Sequence, residues 1–184
     1  MAFRALPRWI LPAALMPAAL MTVLLAPASP ALAETTAAAM TAFGMTGTWS
    51  EDCTKDPAKE GARLTYNLPT AGAPGYRFVL FDRNGNQITS SFDILSATTL
   101  PEGKIRTVSV KTAVNGNGAA ALQPWERVPV ETTIVKIGPK IKSLESRQID
   151  GGRRFIVGGD IVAENSSGEL QTIRSAPLLE KCGG

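Results

Sequence analysis

The sequence predicts an all-β fold: a single antiparallel up-and-down β-barrel of eight or nine strands, with a β-sandwich as the alternative that shares its local signals. Three observations carry that expectation. Short runs rich in β-branched and aromatic residues recur between Gly, Pro and Asn reversals. No stretch after the N-terminal apolar run keeps a helical period bounded by caps. The two cysteines, Cys53 and Cys182, stand at the beginning and the end of the β-rich region. Strands that follow one another across tight turns form a meander, and closing the meander into a barrel removes its exposed edges.

The chain opens on a leader rather than on structure. Arg4 and Arg8 precede an apolar run over residues 9–25, and Ala31-Leu32-Ala33 supplies the small-x-small pattern of a signal-peptidase site. Residues 1–33 are therefore expected to be removed by cleavage before Glu34. A retained anchor is the rival, since about 20 apolar residues span a bilayer. Pro12 and Pro17 interrupt the run, and Pro27 and Pro30 precede the Ala-x-Ala site, which favours cleavage. No cysteine follows the run to take a lipid, and Arg4 and Arg8 are not an adjacent pair. Taking 33 residues from 184 leaves 151, which suits one domain.

Processing also changes the charge. Two of the 19 basic residues leave with the leader while all 16 acidic ones stay, so the net charge falls from +3 to +1. That balance lacks the concentrated basic face of a nucleic-acid binder. Two cysteines in an exported domain read as one disulfide, because that compartment is oxidising. Joining Cys53 to Cys182 closes a loop of roughly 130 residues, for which the chain-entropy argument gives about 4–5 kcal/mol.

Taken in order, residues 34–44 are small and mildly apolar, and read as a flexible arm or a short helical turn. Residues 45–50 form the first strand, and the charged stretch 51–61 a loop. Residues 63–68 form the second strand, followed by a Pro- and Gly-rich loop over 69–75. Residues 76–82 form the third, and Asn84-Gly85 turns the chain as two-residue hairpins require. The returning arm is 87–97, and the β-branched run 104–114 follows a turn at Pro101-Glu102-Gly103. After the Asn115–Asn117 turn signal and an irregular segment carrying Trp125, strands are expected over 128–137 and 141–149, split by Gly138-Pro139. A turn at Asp150-Gly151-Gly152 leads to a strand over 153–164, in which Gly158-Gly159 marks a bulge or bend. Asn165 to Gly168 turn into a last strand over 170–175, and residues 177–184 carry Cys182 back to the start.

The chain has no histidine. That removes the usual base near neutral pH, the usual metal ligand and every Ser-His or Cys-His pair. Asp93, Asp150, Asp160 and Glu164 are carboxylates that glycoside hydrolysis would need in pairs, but no spacing marks two of them as partners. The run from Asp82 to Asn86 superficially resembles a calcium loop; its glycine is misplaced and no glutamate closes it, so a hairpin turn is the reading. Asn165-Ser166-Ser167 fits a glycosylation acceptor and equally an ordinary turn. Trp125 is either an aromatic anchor for a partner or a cap on a barrel end. No catalytic residue, metal or cofactor is expected.

Gly47-x-Trp49 at the opening of the first strand, with Arg174 late in the chain and Arg147 a second candidate, resembles lipocalin-like (calycin-type) barrels. In that family the tryptophan closes the barrel floor beneath a late arginine, so the resemblance implies a closure role for Gly47, Trp49 and Arg174. A plain core tryptophan accounts for Trp49 as well, and the family's Thr-Asp-Tyr motif is absent. The Gly-x-Trp…Asp-Cys opening and the terminal cysteine also look like small exported proteobacterial periplasmic proteins. The resemblance implies a cavity for a small apolar or amphipathic molecule. Alternation puts Tyr76, Phe78 and Leu80 on one strand face, and Val108 and Val110 are expected on an inward face opposite Ile105, Thr107 and Ser109. Glu145 and Arg147, on the isoleucine face of their strand, are candidates for holding a polar head group. A mutual ion pair at the barrel mouth, or the opposite strand parity, is the simpler account of those two.

The expected function is thus a periplasmic or secreted, non-enzymatic ligand-binding protein without stable membrane insertion after cleavage. The alternative is a periplasmic interaction module whose loops 51–61, 69–75 and 115–127 meet another envelope protein. An inhibitor of a cell-wall hydrolase or an accessory subunit of an envelope complex would fit that description.

Overall fold

The computed structural model describes residues 35–55, 62–69, 72–81, 87–116 and 127–183. The leader, the turn from Asp82 to Asn86 and Trp125 lie outside the described residues. One helix, α1 (Thr36–Phe43), precedes eleven strands. These are β1 (Gly47–Ser50), β2 (Ala62–Asn67), β3 (Gly75–Phe81), β4 (Gln87–Leu100), β5 (Lys104–Gly116), β6 (Pro129–Ile137), β7 (Lys140–Gln148), β8 (Arg154–Val157), β9 (Asp160–Glu164), β10 (Leu170–Ser175) and β11 (Leu179–Cys182).

Eight strands close a ring. From β1 to β7 each strand pairs antiparallel with the next, and β11 fills the gap between β7 and β1. The up-and-down barrel expected from the turns is therefore present, and the sandwich is not. The free edge of β7 divides its pairing: Lys140 and Ile141 meet β11, whereas Ser146 and Arg147 meet β8. From that fork β8, β9 and β10 leave the ring as a three-stranded meander.

Two corrections concern this C-terminal region. Residues 153–164 are two strands rather than one, because Gly158 and Gly159 (φ +59° and +85°) form a two-residue turn that brings Val157 opposite Asp160. Positive φ at both central positions is the geometry that matches the twist of paired strands. The terminal segment is itself a strand, and it closes the ring. Cys53, just past β1, is disulfide-bonded to Cys182 across 129 residues, with Cα atoms 5.2 Å apart. Thr48 of β1 lies opposite Cys182 itself. A disulfide of this kind suggests a compartment other than the reducing cytoplasm. Among the described residues no helix is long and apolar enough to cross a membrane.

Helix α1 replaces the flexible arm expected at residues 34–44. Thr35 caps it, its hydroxyl accepting from the Ala38 N–H at 3.2 Å, and Gly44 ends it by donating to the Met40 and Thr41 carbonyls. Its inner side buries Ala39, Met40 and Phe43 against β4 and β5. Met45, Trp49, Tyr66, Ile94, Ala97, Ile105, Ile134 and Ile141 complete one apolar cluster. Trp49 is 3% exposed and donates its indole N–H to the Met45 carbonyl at 2.8 Å, which satisfies the one polar atom it carries into the core. This end of the barrel is filled.

Candidate functional site

Two bulges decide which side chains face the interior. On β5 the ladder with β4 pairs Ser91 with Ala113 and Phe92 with Lys111, so Thr112 is an extra residue. Its hydroxyl donates to the Ser91 carbonyl at 3.2 Å. Alternation breaks there: Val114 faces in, and beyond the bulge Lys111, Ser109, Thr107 and Ile105 take over the inner side. Ser109, Thr107 and Ile105 are nearly or fully buried, and the intervening Val108 and Val110 turn outward. The expectation that the valines line the cavity is thus reversed; the hydroxyl-bearing face is the inner one.

The second bulge lies on β7. Thr133 pairs with Glu145 and Ile134 with Ser143, leaving Leu144 as the extra residue. Ile141 and Ser143 face inward before it, and Ser146 after it. Glu145 and Arg147 are consequently exposed on the outer face rather than inside. Each has its own partner there, so the mutual ion pair is also replaced. Glu145 accepts from the Gly158 N–H at 2.8 Å, and Arg147 donates two hydrogen bonds to Glu131 at 3.1 and 2.9 Å.

The interior opposite α1 is hollow. A main chamber of about 500 Å³ is lined by residues that include Phe78, Leu80, Ser90, Val130, Lys111 and Phe155. A side chamber of about 270 Å³ reaches Leu64, Tyr66, Ser143 and the inner face of the meander. Tyr76, Phe78, Phe92, Thr132 and Ser146 line both, so the two chambers adjoin. The sequence-predicted Phe78 and Leu80 belong here, together with Tyr76 from the same strand face.

The meander is a wall of this space because the inward register continues into it. Thr107, Thr132, Ser146, Ile156, Ile161 and Arg174 stand opposite one another in turn across six strands. Arg174 ends that row and reaches Glu51, beyond β1, at 4.0 Å. The meander therefore bends back towards the ring it left. The closure role implied for Arg174 is not what the contact shows. The cation over the Trp49 ring is Lys181 of β11, at 5.8 Å. Gly47 keeps its place for a backbone reason: its φ of +106° is one that residues with a side chain adopt only under strain.

Most polar groups in the hollow are neutral hydroxyls, and several bond to one another. Tyr76 Oη and Ser109 Oγ are 3.4 Å apart, and Thr132 Oγ1 and Ser146 Oγ 3.1 Å. Tyr66, Tyr76 and Phe92 form an aromatic column, with Tyr76 stacked on Phe92 at 4.3 Å. Burial pushes the Tyr76 hydroxyl up to about 12, against the opposing Ser109 hydrogen bond. Burial, and then the neighbouring Tyr76, raise Tyr66 well above the usual phenol range. Both phenols stay neutral across physiological pH and serve as fixed hydrogen-bonding groups, not as bases.

Four charged side chains enter this lining among the described residues. Lys111 and Arg153 belong to the main chamber, Glu51 and Arg174 to the side chamber. Lys111 stands over the Phe92 ring at 5.7 Å, and Arg153 over Phe155 at 6.0 Å. Among the described residues no three metal-ligating side chains gather. Asp93, Asp150 and Glu164 are exposed, and Asp160 accepts from Ser175 at 2.7 Å, so these carboxylates do not converge on the hollow. The Asn165 side chain organises its own turn by accepting from the N–H groups of Ser167 and Glu169.

The arrangement is that of an internal cavity in a closed antiparallel barrel whose first and last strands are joined by a disulfide, consistent with a lipocalin-like barrel. No protein-family model, curated protein sequence or solved structure matches the chain.

Proposed function

We propose that this chain is an exported, non-enzymatic periplasmic protein, freed from its leader near Ala33, that carries a small apolar or amphipathic molecule inside its barrel. The hollow opposite α1 is the observation that carries this reading. Its main chamber falls in the size range of small-molecule sites, roughly 300–1,000 Å³. Its walls are mostly aromatic and aliphatic, with a few hydroxyls to fix an orientation, which is the usual composition of such sites. The Gly47-x-Trp49 opening and the meander topology add the lipocalin-like resemblance.

The test is native mass spectrometry of protein purified from its own periplasm, followed by organic extraction. The expected result is mature chain beginning at Glu34 with one internal disulfide and a stoichiometric small molecule released on unfolding. An empty chain accompanied by a co-purifying polypeptide would overturn the carrier reading in favour of an interaction module, such as a hydrolase inhibitor or an envelope-complex subunit. One feature favours that second reading: β10, the outermost strand, is exposed along its whole length, with Ile173 64% exposed. Such an edge offers unpaired backbone groups to another chain.

A further inference from the structure

We infer that the side chamber takes an uncharged ring ketone, its ring beside the Tyr66–Tyr76–Phe92 column and its carbonyl oxygen accepting from the Tyr66 hydroxyl. The inference rests on the carrier reading and deepens it by naming the chemical class of the guest and the group that orients it.

Alternation along β2 places Ala62, Leu64 and Tyr66 on the face that lines the side chamber. Tyr66 stands where the filled end meets the hollow: it belongs to the apolar cluster and also borders the chamber. It is 5% exposed, and among the described residues its hydroxyl has no hydrogen-bond partner. The neighbouring hydroxyls differ. Tyr76 is paired with Tyr66 across the ladder, and its own hydroxyl lies 3.4 Å from Ser109 Oγ. Elsewhere in the lining Thr107 donates to the Thr132 carbonyl at 3.5 Å, and the Thr132 and Ser146 hydroxyls are 3.1 Å apart. No fully enclosed polar side-chain atom among the described residues lacks a partner, so the Tyr66 oxygen is one that a guest or a water can reach.

The chemistry of the guest follows from that hydroxyl. Burial keeps the phenol protonated, so it offers a proton to an acceptor. A buried hydroxyl without an acceptor is unfavourable, and an acceptor brought in by a guest removes the penalty. A carbonyl oxygen accepts such a bond and carries no proton needing a partner of its own. Charge is disfavoured here. The two charged groups of this chamber, Glu51 and Arg174, face each other at 4.0 Å and offset one another, which leaves a buried ion no counter-charge of its own. At about 270 Å³ the chamber exceeds the roughly 150 Å³ cavity that holds a benzene ring, so a two-ring body fits. Tyr66, Tyr76 and Phe92 give that body aromatic neighbours, and the adjoining main chamber has room for an apolar extension.

The experiment titrates three probes built on one two-ring skeleton, 1-tetralone, tetralin and tetralin-1-carboxylate, into the disulfide-intact mature protein. Calorimetry should show tetralone bound about fivefold or more tightly than tetralin, the scale of one neutral hydrogen bond, and the carboxylate weakest. In Tyr66→Phe, which removes only the hydroxyl, the ketone preference should fall to within about twofold while tetralin affinity is kept. Retained tetralin binding reports that the variant is folded. Without ligand, Tyr66→Phe should melt no lower than the wild type; a Tm lower by several degrees would show that the hydroxyl has a structural partner and overturn the inference. Equal affinity of the wild type for tetralone and tetralin would show that the hydroxyl keeps a water, and would overturn the ketone assignment. A ketone preference that survives in the variant would overturn the role of Tyr66. Failure of every probe to bind would also remove this inference, whereas the carrier reading falls only if protein from its own periplasm releases no small molecule.

Discussion

At one end of the barrel α1 presses Met40 and Phe43 against β4 and β5, and the interior is solid with apolar side chains. At the other end the same long strands surround a hollow lined by Phe78, Leu80 and Phe92. The side chains differ as much as the packing. The filled end uses Met, Ile, Phe and Trp, whose burial contributes roughly 1.5–3 kcal/mol each. The hollow end sets Ser, Thr and Tyr among aromatic and aliphatic walls, and their hydroxyls contribute little net stability but keep polar groups available. One set of strands therefore separates the part that holds the fold together from the part that leaves a cavity, where the proposed guest would sit.

Substitutions at the two ends test that separation. Met40→Ala, at a site with no solvent exposure, is expected to cost about 2–5 kcal/mol in urea denaturation and to leave ligand affinity nearly unchanged in the fraction that remains folded. An effect below about 1 kcal/mol would show that α1 is not the seal described here.

Alkaline titration comes next in size. The chain has two tyrosines, Tyr66 buried and Tyr76 half-buried against the cavity, both with raised pKa. For these acids the folded state keeps its protons longer than the unfolded one, so stability is full below pH 10 and declines from 10 towards about 12. Spectrophotometric titration should find no phenolate in native protein near pH 10 and ready ionisation after denaturation. Half-ionisation of either phenol near pH 10 without unfolding would show that the column is open to water.

Leu80→Ala, at the end of the cavity away from α1, should cost only about 1 kcal/mol because its side chain already borders a cavity, yet it should weaken retention of the co-purifying small molecule several-fold. The smallest effect belongs to Arg147→Ala. Its hydrogen bonds to Glu131 lie on the outer face with the guanidinium 62% exposed, so stability should change by less than about 1 kcal/mol and binding not at all. Loss of binding on this substitution would return Arg147 to the role first considered for it inside the barrel.

Strands and turns were legible from the residues because local chemistry specifies them. The Gly138-Pro139 reversal, the Asp150-Gly151-Gly152 turn and the face shared by Tyr76, Phe78 and Leu80 follow from turn preference and from a period of two. The pairing of Cys53 with Cys182 followed from there being two cysteines in a chain whose opening reads as an export leader. What alternation misses is an extra residue. Thr112 and Leu144 each reverse the parity of the strand beyond them, and neither has a distinctive composition. Val108 and Val110 were assigned inward because they are apolar, and Glu145 and Arg147 because they continue the register of Ile141; both assignments assume an unbroken ladder. Helix α1 had a readable signal in Thr35 and Gly44, the cap residues at its two ends. Its alanine-rich interior gave no periodic stripe to set beside them.

The bulge at Thr112 has a consequence for how such a barrel changes over time. Because one unpaired residue decides which side chains of β5 look inward, losing or gaining a single codon there would exchange the lining wholesale. A serine, threonine and lysine surface would give way to valines, or the reverse, with no substitution at any of those positions. Preferences for a guest would then shift by jumps in strand length rather than by gradual replacement of lining residues.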